Sequence, residues 1–181
     1  MMKSAPEMLT NEAAEEISTF LNMLLADEYV LYTKTRNAHW NASDPSFVEL
    51  HKFLEIQYGL LDVMIDDIAW RIRSLGHFAS GTMKNFLSVT QMSEDHQDFG
   101  NSTEIIQTLV ADHKTIIRII RNKIIFTSDK YNDHATTDFV TGLMEQHEKM
   151  AWMLSAFLSK PDFSATNHIR TISGQLVNNY Q

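Results

Sequence analysis

The 181-residue chain has no cysteine, which excludes disulfides and thiolate metal sites. Any transition metal must therefore be held by His, Asp and Glu, which points to iron, manganese or zinc. No apolar run is long enough to span a bilayer, and Met1 to Ser18 lack the apolar core and small-residue cleavage site of a secretory leader. A cytoplasmic protein with no membrane partner is expected. Basic residues are in deficit, 15 against 23 acidic ones for a formal charge of −8. That balance disfavours nucleic acid as a partner of the globular body and suits the gathering of cations. No useful length of sequence alternates with period two, and there is no internal repeat or low-complexity segment.

What is present is helical periodicity. A 44% hydrophobic content at this length supports one domain with a substantial core. Ile17, Phe20, Leu21, Leu24, Leu25, Leu31 and Tyr32 recur every three or four positions and define an amphipathic helix running towards Trp40, with Glu28 in the stripe. Asp44 before Pro45 reads as an N-cap and first-turn proline opening a second helix, with Phe47, Leu50, Leu54, Leu61, Ile65, Ile68 and Ile72 on one face and Gly76 as its stop. His77 to Gly100 is irregular, except that Phe86, Leu87, Val89 and Met92 suggest a small helix. Asn101 and Glu104 resemble a capping box ahead of a third helix carrying Ile105 to Ile120. Tyr131 to Thr137 reads as a loop, and a fourth helix from Phe139 to Leu158 is ended by Pro161. The spacing predicts an all-α four-helix bundle with a short extra helix in the connection between the second and third helices. Residues 1–14 and 161–181 are read as tails around a domain of residues 15–160.

The chemistry concentrates on the second helix. His39 is followed twelve positions later by His51, and then by Glu55, Asp62 and Asp66. On a helical wheel His51, Glu55, Asp62 and Asp66 fall within a sector of about 60°, flanking the apolar stripe. His51 and Asp66 are nevertheless about 22 Å apart along the axis at about 1.5 Å per residue, so one chain cannot bring both to one ion. If two copies of the helix pack antiparallel about a two-fold axis crossing between Tyr58 and Gly59, His51 meets Asp66 of the other copy and Glu55 meets Asp62. Each site would take His39 and His51 from one chain and Asp66 from the other. Taken singly, a histidine near a helix end caps or packs and an acidic face is solvated. Their joint register favours a metal site.

These residues resemble the Dps mini-ferritins, the DNA-binding proteins from starved cells. The resemblance is carried by LNMLLADEYVLYTKTRNAHWNA at 21–42, FVELHKFLEIQYGLLDVMIDDIAWRIRSLG at 47–76 and HEKMAWMLSAFL at 147–158. It implies a ferritin-like bundle assembled as a hollow twelve-subunit shell. It also implies Fe(II) oxidation, mainly by hydrogen peroxide, at sites shared between two-fold-related subunits, with ferric iron stored inside and zinc as a substitute at the same site. The family's two histidine ligands fall on His39 and His51 and one carboxylate on Asp66; Glu55 matches a position acidic in many members. The other principal carboxylate falls on Trp70, whose indole offers only an N–H donor and cannot ligate iron. Asp62, one turn before Asp66, is an alternative oxygen donor. The resemblance places Asp129 and Asp138 at acidic pores for iron entry, with His134 where another acid is common. Trp40, beside a ligand, is expected to take up oxidising equivalents, and Trp152 to anchor packing in the bundle.

Larger ferritins bind two metals inside the bundle through Glu and Glu-x-x-His motifs, and this chain has no Glu-x-x-His. Glu28 is read instead as a paired structural acid, and His113 and His147 as hydrogen-bonded core histidines. The second functional reading is a structural shell that protects DNA with little redox activity. Lys3 in the first ten residues, with Lys160 and Arg170 in the last segment, supplies too few cations for strong phosphate neutralisation, so DNA binding is expected to be weak or absent.

Overall fold

Five α-helices account for most of residues 9–42, 47–94 and 102–158, which are the residues described by the computed structural model, and these residues contain no strand. They are α1 (Asn11–Asn41), α2 (Phe47–Ser74), α3 (Met83–Val89), α4 (Ser102–Ile125) and α5 (His134–Leu158), with a π-helical turn at Phe126–Lys130 after α4. The four long helices form the bundle. α1 and α2 are antiparallel, as the contacts of His39 with His51 and of Tyr32 with Tyr58 require. Phe53 meets Phe157 while Arg71 reaches Asp133 just before α5, and α4 and α5 are joined through the π-helical turn and meet again at His113 and His147, so α5 is antiparallel to both α2 and α4.

That arrangement makes α2 and α4 parallel, and residues 75–94 carry the chain back along the bundle. They do so along α1. The Asn22 side chain donates to the Phe78 carbonyl and accepts from the Ser80 N–H, Phe86 stacks on Tyr29 at 4.5 Å, and Lys34 donates to the Ser93 carbonyl. Midway, the buried Asp27 carboxylate accepts from the Thr90 hydroxyl (2.7 Å) and the Gln91 N–H (2.6 Å). Burial pushes the Asp27 carboxyl up, and these two donors offset part of that cost. The core is the expected set of inward residues, among them Leu24, Leu31, Leu54, Leu61, Ile68, Ile116 and Ile120, all fully buried.

The ends are where periodicity misplaces the elements. α1 starts at Asn11, six residues before the apolar stripe at Ile17, because Thr10 caps it by accepting from the Ala13 N–H (3.2 Å) and the small residues Ala13 and Ala14 are already buried. Gly76 does stop α2: its φ of 87° lets His77 N–H reach the Ile72 carbonyl and Gly76 N–H reach the Arg73 carbonyl, a Schellman motif. The loop expected over Tyr131 to Thr137 is shorter. Asn132 turns the chain with φ 54°, and Asp133 caps α5 by accepting from the Thr136 N–H (3.0 Å) and hydroxyl, so the helix is under way at His134. Arg71 of α2 ties this cap to the bundle through Asp133 and Thr136. Asp44, Pro45, Asn101 and Pro161 lie outside the described residues.

Candidate metal centre

His39 stands in the last turn of α1 and His51 near the start of α2, so the antiparallel packing of those helices brings the two rings face to face. Their centroids are 3.7 Å apart with 22° between the planes. Each ring donates from Nδ1 to the other's backbone: His39 Nδ1 to the His51 carbonyl at 2.9 Å, His51 Nδ1 to the His39 carbonyl at 3.0 Å. A carbonyl only accepts, so both Nδ1 atoms carry protons, and in the neutral imidazole the lone pair is at Nε2. Two ring nitrogens are thus set in one tautomer by backbone atoms of the helix ends, the kind of support that metal-ligating histidines use. His39 is buried and His51 half-buried.

Around them lies an aromatic shell. Tyr58 meets His39 edge-on at 5.3 Å, and the Arg36 guanidinium sits over the rings of Tyr58, Trp40 and Tyr32 at 4.8, 5.3 and 5.6 Å. Arg36 also donates to the Tyr32 hydroxyl at 2.7 Å. Trp40 is 62% exposed, so the residue next to His39 is held by the cation and presents its ring to solvent.

The carboxylates are distributed as the axial distance demands. Glu55, Asp62 and Asp66 are all exposed on the outer side of α2, and among the described residues no three His, Asp or Glu side chains gather around one point within a single chain. Asp62 interacts with Arg36. Asp66 is engaged by its neighbour one turn on: the Trp70 indole N–H donates to Asp66 Oδ2 at 3.0 Å. Between these acids the outer side of α2 carries Ile56, Leu60 and Val63, 59%, 39% and 60% exposed, and Gly59, where a Cβ would meet nothing within 4 Å. An apolar, open stripe of this kind on a single chain marks a surface for association.

A second histidine pair lies inside the bundle. His113 Nδ1 and His147 Nδ1 are 2.9 Å apart, and His147 Nε2 donates to Glu28 Oε1 at 2.7 Å. All three side chains are fully buried. Burial, reinforced by His147, holds the His113 imidazole well below the usual histidine range, so it is neutral. The nitrogens of His147 are both spent within this chain of bonds, which makes it a structural array joining α1, α4 and α5.

Asp129, His134 and Asp138 are exposed, on the π turn and the start of α5. Trp152 is not a packing anchor: it is 71% exposed on the outer face of α5. Sequence reasoning did not find the reciprocal backbone bonds of His39 and His51, the Trp70 to Asp66 bond, or the Asp133 cap with its Arg71 tie. The spacing of Asp66 and Trp70, one helical turn, was the available signal for the second of these.

The bundle and its helix-end histidines define a class, and comparison with known proteins agrees. The ferritin-like domain family model matches residues 19–163. A low temperature-induced protein of Nostoc is 40% identical over 150 residues, covering 83% of this chain and 84% of that one. DNA protection during starvation protein 2 of Bacillus anthracis is 31% identical over 81% of this chain and 99% of its own length. The crystal structure of the Dps protein of Vibrio cholerae, described as a member of the ferritin-like diiron-carboxylate superfamily, superposes with a TM-score of 0.79 at 28% identity, covering 88% of this chain and 100% of that one. The chain belongs to the Dps family of ferritin-like proteins. No described helix is long and apolar enough to cross a membrane.

Proposed function

We propose that this protein is an iron-sequestering mini-ferritin that binds Fe(II) at inter-subunit sites, oxidises it with hydrogen peroxide and stores ferric iron in a hollow shell of about twelve subunits. In this reading the shell is cytoplasmic and protects against oxidative stress. The observation that carries it is the reciprocal locking of His39 and His51, which sets two Nε2 lone pairs at one end of the helix pair. His39 and His51 hold Fe(II) with Asp66 of a two-fold-related copy, and Glu55, one turn after His51 on α2, is the next acid along that helix. The exposed Ile56, Gly59, Leu60 and Val63 stripe supports the helix-to-helix contact that this sharing needs. An open coordination position admits peroxide. Two Fe(II) ions, oxidised in turn at the site, give one electron each, so peroxide goes to two waters with uptake of two protons. Trp40, at the edge of the site, is the residue placed to absorb stray oxidising equivalents. Asp129 and Asp138 supply negative charge along an entry route, and zinc competes for the same nitrogens.

A second reading is favoured by Trp70, which stands where the family has a carboxylate: a shell whose oxidation site is crippled and whose main task is structural, including the DNA protection for which its relatives are named. One experiment separates the two. Fe(II) is titrated anaerobically into wild type, His51→Ala and Trp70→Glu, peroxide is added, and ferric absorbance is followed. Fast oxidation by wild type that His51→Ala loses supports ferroxidase function. Wild type no faster than His51→Ala, with Trp70→Glu fast, establishes the crippled shell instead. Sedimentation tests the subunit number, and a salt-dependent mobility shift with plasmid DNA tests for direct DNA binding.

A further inference from the structure

We propose that Trp70 is a positioning residue that turns this centre into a site for one divalent first-row transition ion. The inference rests on the inter-subunit reading above and concerns what Trp70 does to it. A carboxylate grips two ions, or one ion bidentately, by offering both oxygens. Here Oδ2 of Asp66 accepts the Trp70 indole N–H at 3.0 Å, which occupies one lone pair of that oxygen, makes Oδ1 the preferred oxygen for a metal and restrains the plane of the carboxylate. Asp62, the acid one turn before Asp66 on the same face, lies in the field of Arg36, and that guanidinium is held in place by Tyr32, Tyr58 and Trp40. The donor set is then His39, His51 and one oxygen of Asp66 from the two-fold-related copy, with Glu55 the acid one turn after His51. Three or four protein donors with an open position satisfy one Zn(II), Co(II) or Fe(II). Shared between two ions, the same donors would leave each mostly to water. Trp70 thus removes a ligand from the second ion and orients the ligand of the first.

The test uses the assembled protein and Co(II) under anaerobic conditions, because Co(II) reports both stoichiometry by calorimetry and coordination number by its visible bands. Wild type is expected to bind one Co(II) per subunit. Trp70→Phe, which keeps a ring and removes the N–H, is expected to bind one ion about tenfold more weakly with altered visible bands, because the Asp66 carboxylate is released. Trp70→Glu is expected to bind two. Wild type binding two ions per subunit overturns the proposal, and so does Trp70→Phe matching wild type in both affinity and spectrum. His51→Ala distinguishes the two levels of argument: if it binds Co(II) as wild type does, the histidine-centred site itself is wrong, whatever Trp70 does.

Discussion

Two histidine pairs in one small bundle have opposite fates. His39 and His51 stack at 3.7 Å at the end of α1 and α2 and spend their Nδ1 protons on backbone carbonyls. His113 and His147 meet at 5.1 Å between α4 and α5, share a proton between their Nδ1 atoms, and are anchored to Glu28. In the first pair the backbone bonds engage Nδ1, so the lone pair of the neutral ring lies at Nε2. In the second, every nitrogen of His147 is consumed inside the core. The role of an imidazole is decided by what occupies its other nitrogen and by how much water reaches it, and residue type alone carries neither piece of information.

The sharpest way to break this comparison is to cut each pair and measure stability and metal binding together. Removing His147 or Glu28 leaves the other member of a fully buried pair without its partner, which costs about 3–5 kcal/mol. The urea midpoint of His147→Ala should fall accordingly at a fixed subunit concentration, while the folded fraction still binds Co(II) as wild type does. Should His147→Ala lose Co(II) binding and keep its stability, the inner pair would be the metal site and the contrast would be reversed.

Much of this contrast is legible in the amino-acid order. Four long helices and the small one in the crossover follow from apolar spacing, because burial of one face is what makes those helices stable. A histidine inside an apolar stripe, as at His113 and His147, announces burial, and a neighbouring stripe carrying Glu28 announces its partner. What is not legible depends on contacts between segments distant in sequence. The start of α1 is set by Thr10 and two alanines too small to register as a stripe, and the start of α5 by an Asp133 cap that Arg71 of another helix holds in place. The reciprocal bonds of His39 and His51 require the exact register of two helices, which periodicity does not specify. Trp152 misleads for a related reason: an aromatic in a helix suggests packing, yet its position on the wheel faces outward.

A pH titration sharpens the comparison at smaller amplitude. His113 is neutral in the folded protein because burial and the adjacent His147 oppose its protonation, with Glu28 acting only through His147. In the unfolded chain it titrates near about 6.5. Below that pH the unfolded state binds the extra proton, so stability falls as pH falls, by up to about 1.4 kcal/mol per pH unit until the lowered folded value is reached. The loss is expected in urea midpoints measured between about pH 6.5 and 5, and His113→Gln should flatten it although that variant starts less stable. An equally steep acid loss in His113→Gln would assign the effect to another group.

The smallest expected effect is on the outer pair without metal. His51→Ala removes one side-chain to backbone hydrogen bond and a ring stacked on His39 in a half-buried position, so the metal-free protein should lose only about 1 kcal/mol. Metal changes that ranking. A ligand that binds only the folded state adds RT ln(1 + [L]/Kd), about 2.7 kcal/mol at a hundredfold excess over Kd, and wild type should gain that much with Zn(II) or Co(II). His51→Ala should gain almost nothing, and His113→Gln should gain as much as wild type from its lower baseline. Each pair thus predicts its own pattern: the inner one sets the metal-free stability and the outer one sets the increment due to metal. A His51→Ala protein that kept the full increment would show the ion binding elsewhere, and the reciprocal bonds at the helix ends would then be packing alone.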